Sequence, residues 1–247
     1  MIAVVTGASS GIGEATARRL AREPGARLIL VARREERLRA LAEELGGATV
    51  IAAELESGPG RLDLLVNNAG AAWRGRFGEA GWENVRRHME LNFDAVVRLT
   101  EALLPILRRS APSAIVNVAS TAGRVARGNS GGYSASKFAL AGWSDALGAE
   151  ERGHGVHVGL VLPGFVATEG FPQRELRERA LTRWALSTPE RVAEAIIDAG
   201  PGGKAERYVP RPYWLAAAAR IVAPRLVRRA TRGKALTPAT RAGESDP

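Results

Sequence analysis

The first thirteen residues narrow the fold more than any other stretch. The apolar run Ile2-Ala3-Val4-Val5 leads into Thr6-Gly7-Ala8-Ser9-Ser10-Gly11-Ile12-Gly13, and a helical pattern follows at once. Glycines at this spacing, between a strand and a helix, let the backbone turn tightly and approach a pyrophosphate. The helix N-terminus behind them offers N–H donors and a partial positive charge. A plain strand-to-helix turn is the bland alternative for this segment taken singly. The same alternation continues along the chain. Apolar runs predict strands at about 2–6, 27–32, 48–53, 62–67, 113–119, 156–162 and 206–209. Between them, helical periodicity covers 12–22, 34–45, 79–108, 131–152, 173–183 and 189–198. Strands that alternate with helices predict an α/β fold, a doubly wound parallel sheet of about seven strands. Thr188-Pro189 is a strong helix start, a capping hydroxyl followed by proline at the first helical position.

Composition removes several function classes. No cysteine is present, so disulfide and thiolate chemistry are excluded. No apolar run is long enough to span a bilayer, and Ile2–Val5 has no basic segment before it, so the expected location is cytoplasmic. His88, His154 and His157 have no metal-ligand spacing, and no metal site is expected. Gly-x-Ser-x-Gly is absent from any strand–turn–helix context, which leaves no hydrolase elbow. The net charge of +9 is concentrated at the end, where residues 204–247 hold ten basic against three acidic side chains. No nucleic-acid motif accompanies this basicity, so no nucleic-acid partner is expected.

Chemistry enters with Tyr133-Ser134-Ala135-Ser136-Lys137. A tyrosine and a lysine four apart lie on one helical face. An ammonium there favours the phenolate and brings a poor general base, with pKa near ~10, toward a useful range. Ser120 lies thirteen residues upstream, at the end of the run 114–119. Before it come Asn92 and the turn Asn67-Asn68-Ala69-Gly70. In this order, together with the glycine loop, these residues resemble the short-chain dehydrogenase/reductase family over roughly residues 1–170. The resemblance implies a Rossmann-like sheet in the order 3-2-1-4-5-6-7 and hydride transfer between a nicotinamide and a carbonyl carbon. It implies that Tyr133 gives or takes the proton and that Ser120 hydrogen-bonds the carbonyl oxygen. Lys137 lowers the Tyr133 pKa and holds the nicotinamide ribose, and Asn92 holds a water that relays protons. For Asn92 a purely structural bond to backbone remains the alternative.

The same resemblance, applied to the cofactor, implicates Gly7, Ser9, Ser10, Gly11, Ile12 and Gly13 of the loop. It adds Asn68, Ala69 and Gly70, with Asn68 the favoured contact, and Tyr133, Lys137, Pro163, Gly164, Val166 and Thr168. Cofactor choice is read at the end of the second strand, Ala32-Arg33-Arg34. Ala32 stands where members that prefer NAD place Asp, and Arg33 follows with a planar fork suited to a 2′-phosphate. NADP (as NADPH in reduction) is therefore favoured over NAD, with Arg33 and Arg34 as contacts. Ser10 is neutral where many NADP members carry a cation, and Arg33 and Arg34 can equally begin a solvated helix with Glu35 and Glu36. Glu54 replaces the usual Asp near adenine, which leaves that contact open.

The expected substrate is an apolar ketone, aldehyde or secondary alcohol. It meets Ser120 and Tyr133 and is walled by Trp73, Phe165 and Trp184 under a lid at about 165–188. Ordinary core packing is the alternative for each wall residue. A catalytically silent, cofactor-sensing protein is the competing function, disfavoured because Asn92, Ser120, Tyr133 and Lys137 are all present. The expected organisation is one catalytic domain over 1–210, a basic amphipathic segment over 211–232 whose helical pattern is interrupted by Pro224, and a disordered tail over 233–247. That segment packs on its own domain or a second subunit in preference to peripheral contact with an anionic membrane. The helices at 79–108 and 131–152 are the faces through which such proteins form homodimers or homotetramers. One connection departs from the family: only Glu54 to Arg61 join the third and fourth strands, and Ser57-Gly58-Pro59-Gly60 is a turn. Crossing back over the sheet needs about 23 Å, and eight extended residues reach at most about 28 Å. The expected result is a nearly straight link with no helix, which leaves one sheet face without its usual cover.

Overall fold

A computed structural model describes residues 1–46, 48–51, 60–168 and 186–231. Seven parallel strands form the central sheet: β1 (Ile2–Thr6), β2 (Arg27–Val31), β3 (Thr49–Ile51), β4 (Leu64–Asn67), β5 (Ser113–Val118), β6 (Val156–Pro163) and, last in the chain, β9 (Glu206–Val209). Their order is β3-β2-β1-β4-β5-β6-β9, the doubly wound arrangement expected from the sequence. A separate parallel pair, β7 (Phe165–Val166) and β8 (Leu186–Ser187), lies beyond the end of β6.

Alternating side chains of each strand bury into opposite layers, as a sheet covered on both faces requires. Ala3, Val5, Leu30, Val116 and Val161 pack with α1 (Gly11–Leu20), α2 (Glu35–Glu44) and α6 (Pro189–Ala199). Val4, Leu65, Ile115, Val156 and Val158 face α4 (Ala95–Arg109) and α5 (Gly131–Glu151). Thr188 caps α6 as expected, its hydroxyl accepting from the Arg191 amide. A polar row crosses the second layer at the register pair Asn67–Asn117. The Asn67 amide donates to Thr100 Oγ1 (3.1 Å) and Asn117 Oδ1 (2.9 Å), and Asn117 donates to Ser144 Oγ (2.8 Å). The row thereby ties α4 and α5 to the two central strands.

One helix differs from its expected span. The 79–108 pattern resolves into α3 (Phe77–Met89), a π-helical turn Glu90–Asp94, and α4. Within α3, Gly81 breaks the backbone at φ 56°. The C-terminal segment divides at Ala223 into α7 (Tyr213–Val222) and α8 (Pro224–Thr231), the break expected at Pro224, which has no N–H to continue the first helix. Most of the short link at 54–61, the helix expected at 173–183 and the tail at 233–247 lie outside the described residues. No helix among the described residues is long and apolar enough to cross a membrane.

Candidate active site

The site forms at the carboxyl ends of β1, β4, β5 and β6, where the direction of sheet winding reverses and ligands of such sheets bind. The cradle begins at Gly7, whose φ of +67° belongs to the left-handed region. Gly13 is packed so closely that a Cβ there would stand 2.2 Å from the Gly7 carbonyl oxygen. Any larger residue would push α1 off the strand. Ser10 precedes α1 without a side-chain capping bond, which leaves the first-turn N–H groups directed at the cradle. Arg34 leans across the loop, its Nη2 donating to Ser10 Oγ (2.6 Å) and its Nε to Ser9 Oγ (3.3 Å). Arg33 and Arg34 are both exposed, and the guanidinium bonded at the lip of the loop is that of Arg34. A dinucleotide fits this arrangement, with its pyrophosphate over the helix N-terminus and a cation at the end of β2.

Thr6 joins the cradle to the next turn. Its hydroxyl accepts from the amides of Asn68 (2.9 Å) and Ala69 (3.0 Å). Asn68 Nδ2 donates to the Thr6 carbonyl (3.0 Å), so its amide holds the two loops together. On the far side, Thr168 borders Gly11, where a Cβ would come within 3.1 Å of the Thr168 methyl. Val166 is buried beside it. Glu54 and Trp184 lie outside the described residues.

Asn92 and Lys137 converge above Gly70. A Cβ at Gly70 would meet Asn92 Oδ1 at 2.8 Å and Lys137 Nζ at 3.5 Å. Lys137 is buried and donates to the Val118 carbonyl at 2.9 Å. Ser120 follows β5 in extended conformation, its Oγ accepting from the Ala122 amide (3.1 Å) and donating to the Pro163 carbonyl (3.4 Å). The Ser120 hydroxyl also acts on the Tyr133 phenol, favouring its ionised form. Asn92 sits in the π turn, fully buried. Its Oδ1 accepts from the Ala71 amide (2.9 Å), and its Nδ2 donates to the Ala71 carbonyl (3.0 Å) and Ser136 Oγ (3.1 Å). Ser136 donates onward to the Tyr133 carbonyl (2.9 Å), so Asn92 ties the 71–75 segment to α5.

The electrostatics differ from the simple pairing of Tyr133 with Lys137. Burial pushes the Tyr133 phenol up, opposed by the nearby Ser120 hydroxyl and by the charge of Arg127. Burial pushes the Lys137 ammonium down to about 8. The Lys137 Nζ lies 6.0 Å from the Tyr133 ring centroid. At neutral pH the pair is therefore a phenol that can donate a proton beside a largely protonated amine.

Sequence reasoning overlooked three residues. His88, fully buried, accepts from the Trp73 amide through Nε2 (2.9 Å), while Nδ1 lies 2.6 Å from the Asn84 carbonyl and donates to it. Burial holds its pKa down, so the ring is neutral with its proton on Nδ1. Asn84 donates to the Trp73 carbonyl (3.1 Å), and the two side chains together clamp Trp73. The His88 ring stands edge-on between Trp73 (5.0 Å) and Tyr133 (6.1 Å). The third residue, Arg127, reaches the Phe165 ring at 4.5 Å. Its only sequence signal was its place between Ser120 and Tyr133.

Comparison with known proteins agrees with this geometry. The family described as short chain dehydrogenase matches residues 1–179. Dehydrogenase/reductase SDR family member 7B of Danio rerio is 34% identical over 190 residues, 68% of this chain and 61% of its own length. The chain thus spans about three-fifths of that relative. A putative ketoacyl reductase of Streptomyces coelicolor is 38% identical over 209 residues, covering 76% of this chain and 78% of its own. Among solved structures, an actinorhodin polyketide ketoreductase crystallised with NADPH superposes with a TM-score of 0.74 at 33% identity. That match covers 84% of this chain and 95% of the other. Glycine loop, sheet order and family match agree: this chain belongs to the short-chain dehydrogenase family.

Proposed function

We propose that the protein is an NADP(H)-dependent oxidoreductase that interconverts a ketone and a secondary alcohol. The observation that carries this reading is the convergence of Ser120, Tyr133, Lys137 and Asn92 at the carboxyl ends of β4 and β5, beside an intact dinucleotide cradle. Bound NADPH would supply a hydride to the carbonyl carbon. Tyr133 donates its phenolic proton to the carbonyl oxygen as that oxygen gains charge, and takes the proton back in oxidation. Ser120, whose hydroxyl acts on the Tyr133 phenol, stabilises the same oxygen by a hydrogen bond. Lys137, held by the Val118 carbonyl, supplies positive charge and a ribose contact. Asn92 acts by holding Ala71 and Ser136 in place. Arg34 at the lip of the loop supports the 2′-phosphate of NADP. The ketoacyl reductase relative and the NADPH-bound ketoreductase neighbour favour the same cofactor and a ketone substrate. Trp73 and Phe165 give the carbonyl site apolar walls.

The deciding experiment is Tyr133→Phe, assayed against a panel of ketones with NADPH and titrated with NADPH alone. Loss of the phenolic proton should lower turnover at least about 100-fold, within the range of general acid catalysis, with cofactor affinity kept within a few-fold. Turnover within tenfold of the parent would remove Tyr133 from the proton-transfer role. An unaltered parent that binds NADPH but reduces no ketone would favour the silent, cofactor-sensing alternative.

A further inference from the structure

Arg127 lacks the carboxylate partner that holds many of the described arginines. Arg18 pairs with Glu14 and Glu44, Arg19 with Glu23 and Glu194, Arg108 with Glu151, Arg124 with Glu206, and Arg207 with Asp198. The charged and titratable groups that act on Arg127 are instead the phenols of Tyr133 and Tyr213 and the guanidinium of Arg74. No carboxylate faces it among the described residues. One side of its planar head lies on the Phe165 ring at 4.5 Å. Tyr213 closes the other end of this corner, packed so tightly on Gly164 that a Cβ there would be 2.3 Å from its ring. Burial disfavours the charged form, and the nearby Arg74 adds to that cost.

A partly buried guanidinium is costly unless an anion compensates it. Here the fork is backed by an aromatic wall, and its charge reaches the hydroxyl that gives the reacting proton. Water alone does not explain a cation in this place, because an apolar side chain would pack against Phe165 without the desolvation cost. We infer that Arg127 receives an anionic group of the substrate, a carboxylate or a phosphate borne a short chain away from the carbonyl that Tyr133 and Ser120 engage. This inference rests on the oxidoreductase reading and narrows it from apolar ketones to oxo acids and their phosphorylated counterparts. The bidentate geometry of arginine suits either anion. The carbonyl is then fixed at two points, by the Tyr133–Ser120 pair at one end and by Arg127 at the other.

The test compares matched substrates in the full chain: 3-oxo and 5-oxo alkanoates, their methyl esters, and the corresponding oxoalkyl phosphates, each with NADPH. The parent should favour the best anion over its neutral ester at least about tenfold in kcat/KM, chiefly through KM, since the contact exists before reaction. Arg127→Met should bring that ratio to within about threefold of unity, and Arg127→Lys should restore part of it. Because the ratio compares two ketones in one protein, any effect of Arg127 on the Tyr133 proton cancels. Carboxylate and phosphate arms show which anion is preferred. Equal rates for acid and ester in the parent, or an anion preference that survives Arg127→Met, would overturn the assignment. If the parent reduces no ketone, the oxidoreductase reading fails by itself, and calorimetric titration with the same oxo acids and esters decides the site. Binding of the acid that is lost in Arg127→Met upholds it, and its absence in the parent overturns it. Far-UV circular dichroism and NADPH titration of each variant separate these outcomes from misfolding.

Discussion

At the scale of single residues, neighbours in sequence divide their roles in ways that local pattern does not reveal. Arg33 and Arg34 are equivalent on paper, yet only Arg34 reaches Ser9 and Ser10. The backbone at Arg34, φ −86° and ψ 85°, decides which way each side chain leaves the end of β2, and no periodicity encodes that angle. Arg34→Ser should weaken NADPH binding about 10- to 100-fold, the loss of one charged hydrogen bond, and NADH binding much less. Fluorescence titration with both cofactors checks this, with Arg33→Ser as the comparison; a larger effect at Arg33 would reverse the assignment. Lys137 carries a pH signature. Its folded pKa is pushed down to about 8 from 10.5. Between these values the unfolded chain binds more protons than the folded one, so this group makes stability rise with pH across that window. The rise amounts to at most about 3 kcal/mol. It ends above about pH 10, where the raised Tyr133 phenol acts in the opposite sense. Lys137→Met should flatten the rise, measured by urea unfolding at about pH 7.5 and about pH 9.5; an unchanged slope would show that the ammonium is solvated.

At the scale of elements, strand order and the sequence of motifs were legible because apolar runs and glycine spacings are local signals. The break at Pro224 was legible too, but the one inside the 79–108 helix was not. The stretch from 79 to 108 reads as one continuous pattern, and the extra residue of the π turn at Glu90–Asp94 leaves almost no trace in it. Such turns recur at functional sites because they re-aim one side chain, here Asn92 toward Ala71 and Ser136. Trp73 and Phe165 were anticipated as wall residues from their neighbouring turns. The histidine behind Trp73 was not, because its partners, the Trp73 amide and the Asn84 carbonyl, are backbone groups without sequence identity. The polar row between α4 and α5 belongs to the same class of hidden detail. Asn117→Ala would leave the Asn67 amide and the Ser144 hydroxyl short of a buried partner. The expected cost is about 1–3 kcal/mol, or a fall in Tm of roughly 2–10 °C. Differential scanning calorimetry tests this; a Tm within a degree of the parent would mean that water satisfies the row.

At the scale of the whole molecule, the described surface leaves large apolar side chains uncovered on two faces. Phe77, Trp82 and Phe138 are exposed on α3 and α5, and Trp214, Leu215, Ile221, Val222 and Leu226 on α7 and α8. Apolar exposure on this scale is uncommon on a monomer, and Trp82 and Phe138 lie within the helices at 79–108 and 131–152 that were expected to pair. Light scattering should therefore give a multiple of the 26.2 kDa chain mass, and Trp82→Glu with Phe138→Glu should shift it toward one chain. A single-chain mass for the parent would count against association. Within one chain, the two halves of the sheet meet at β1 and β4, and the Thr6 hydroxyl spans that seam to Asn68 and Ala69. From there two residues lead to Ala71, which Asn92 grips, and two more to Trp73, which His88 and Asn84 grip. One hydroxyl and five residues of backbone thus link the nucleotide loop to Trp73. For the proposed reaction the expected consequence is temporal: the dinucleotide enters before the substrate and leaves last, an order that product-inhibition kinetics checks.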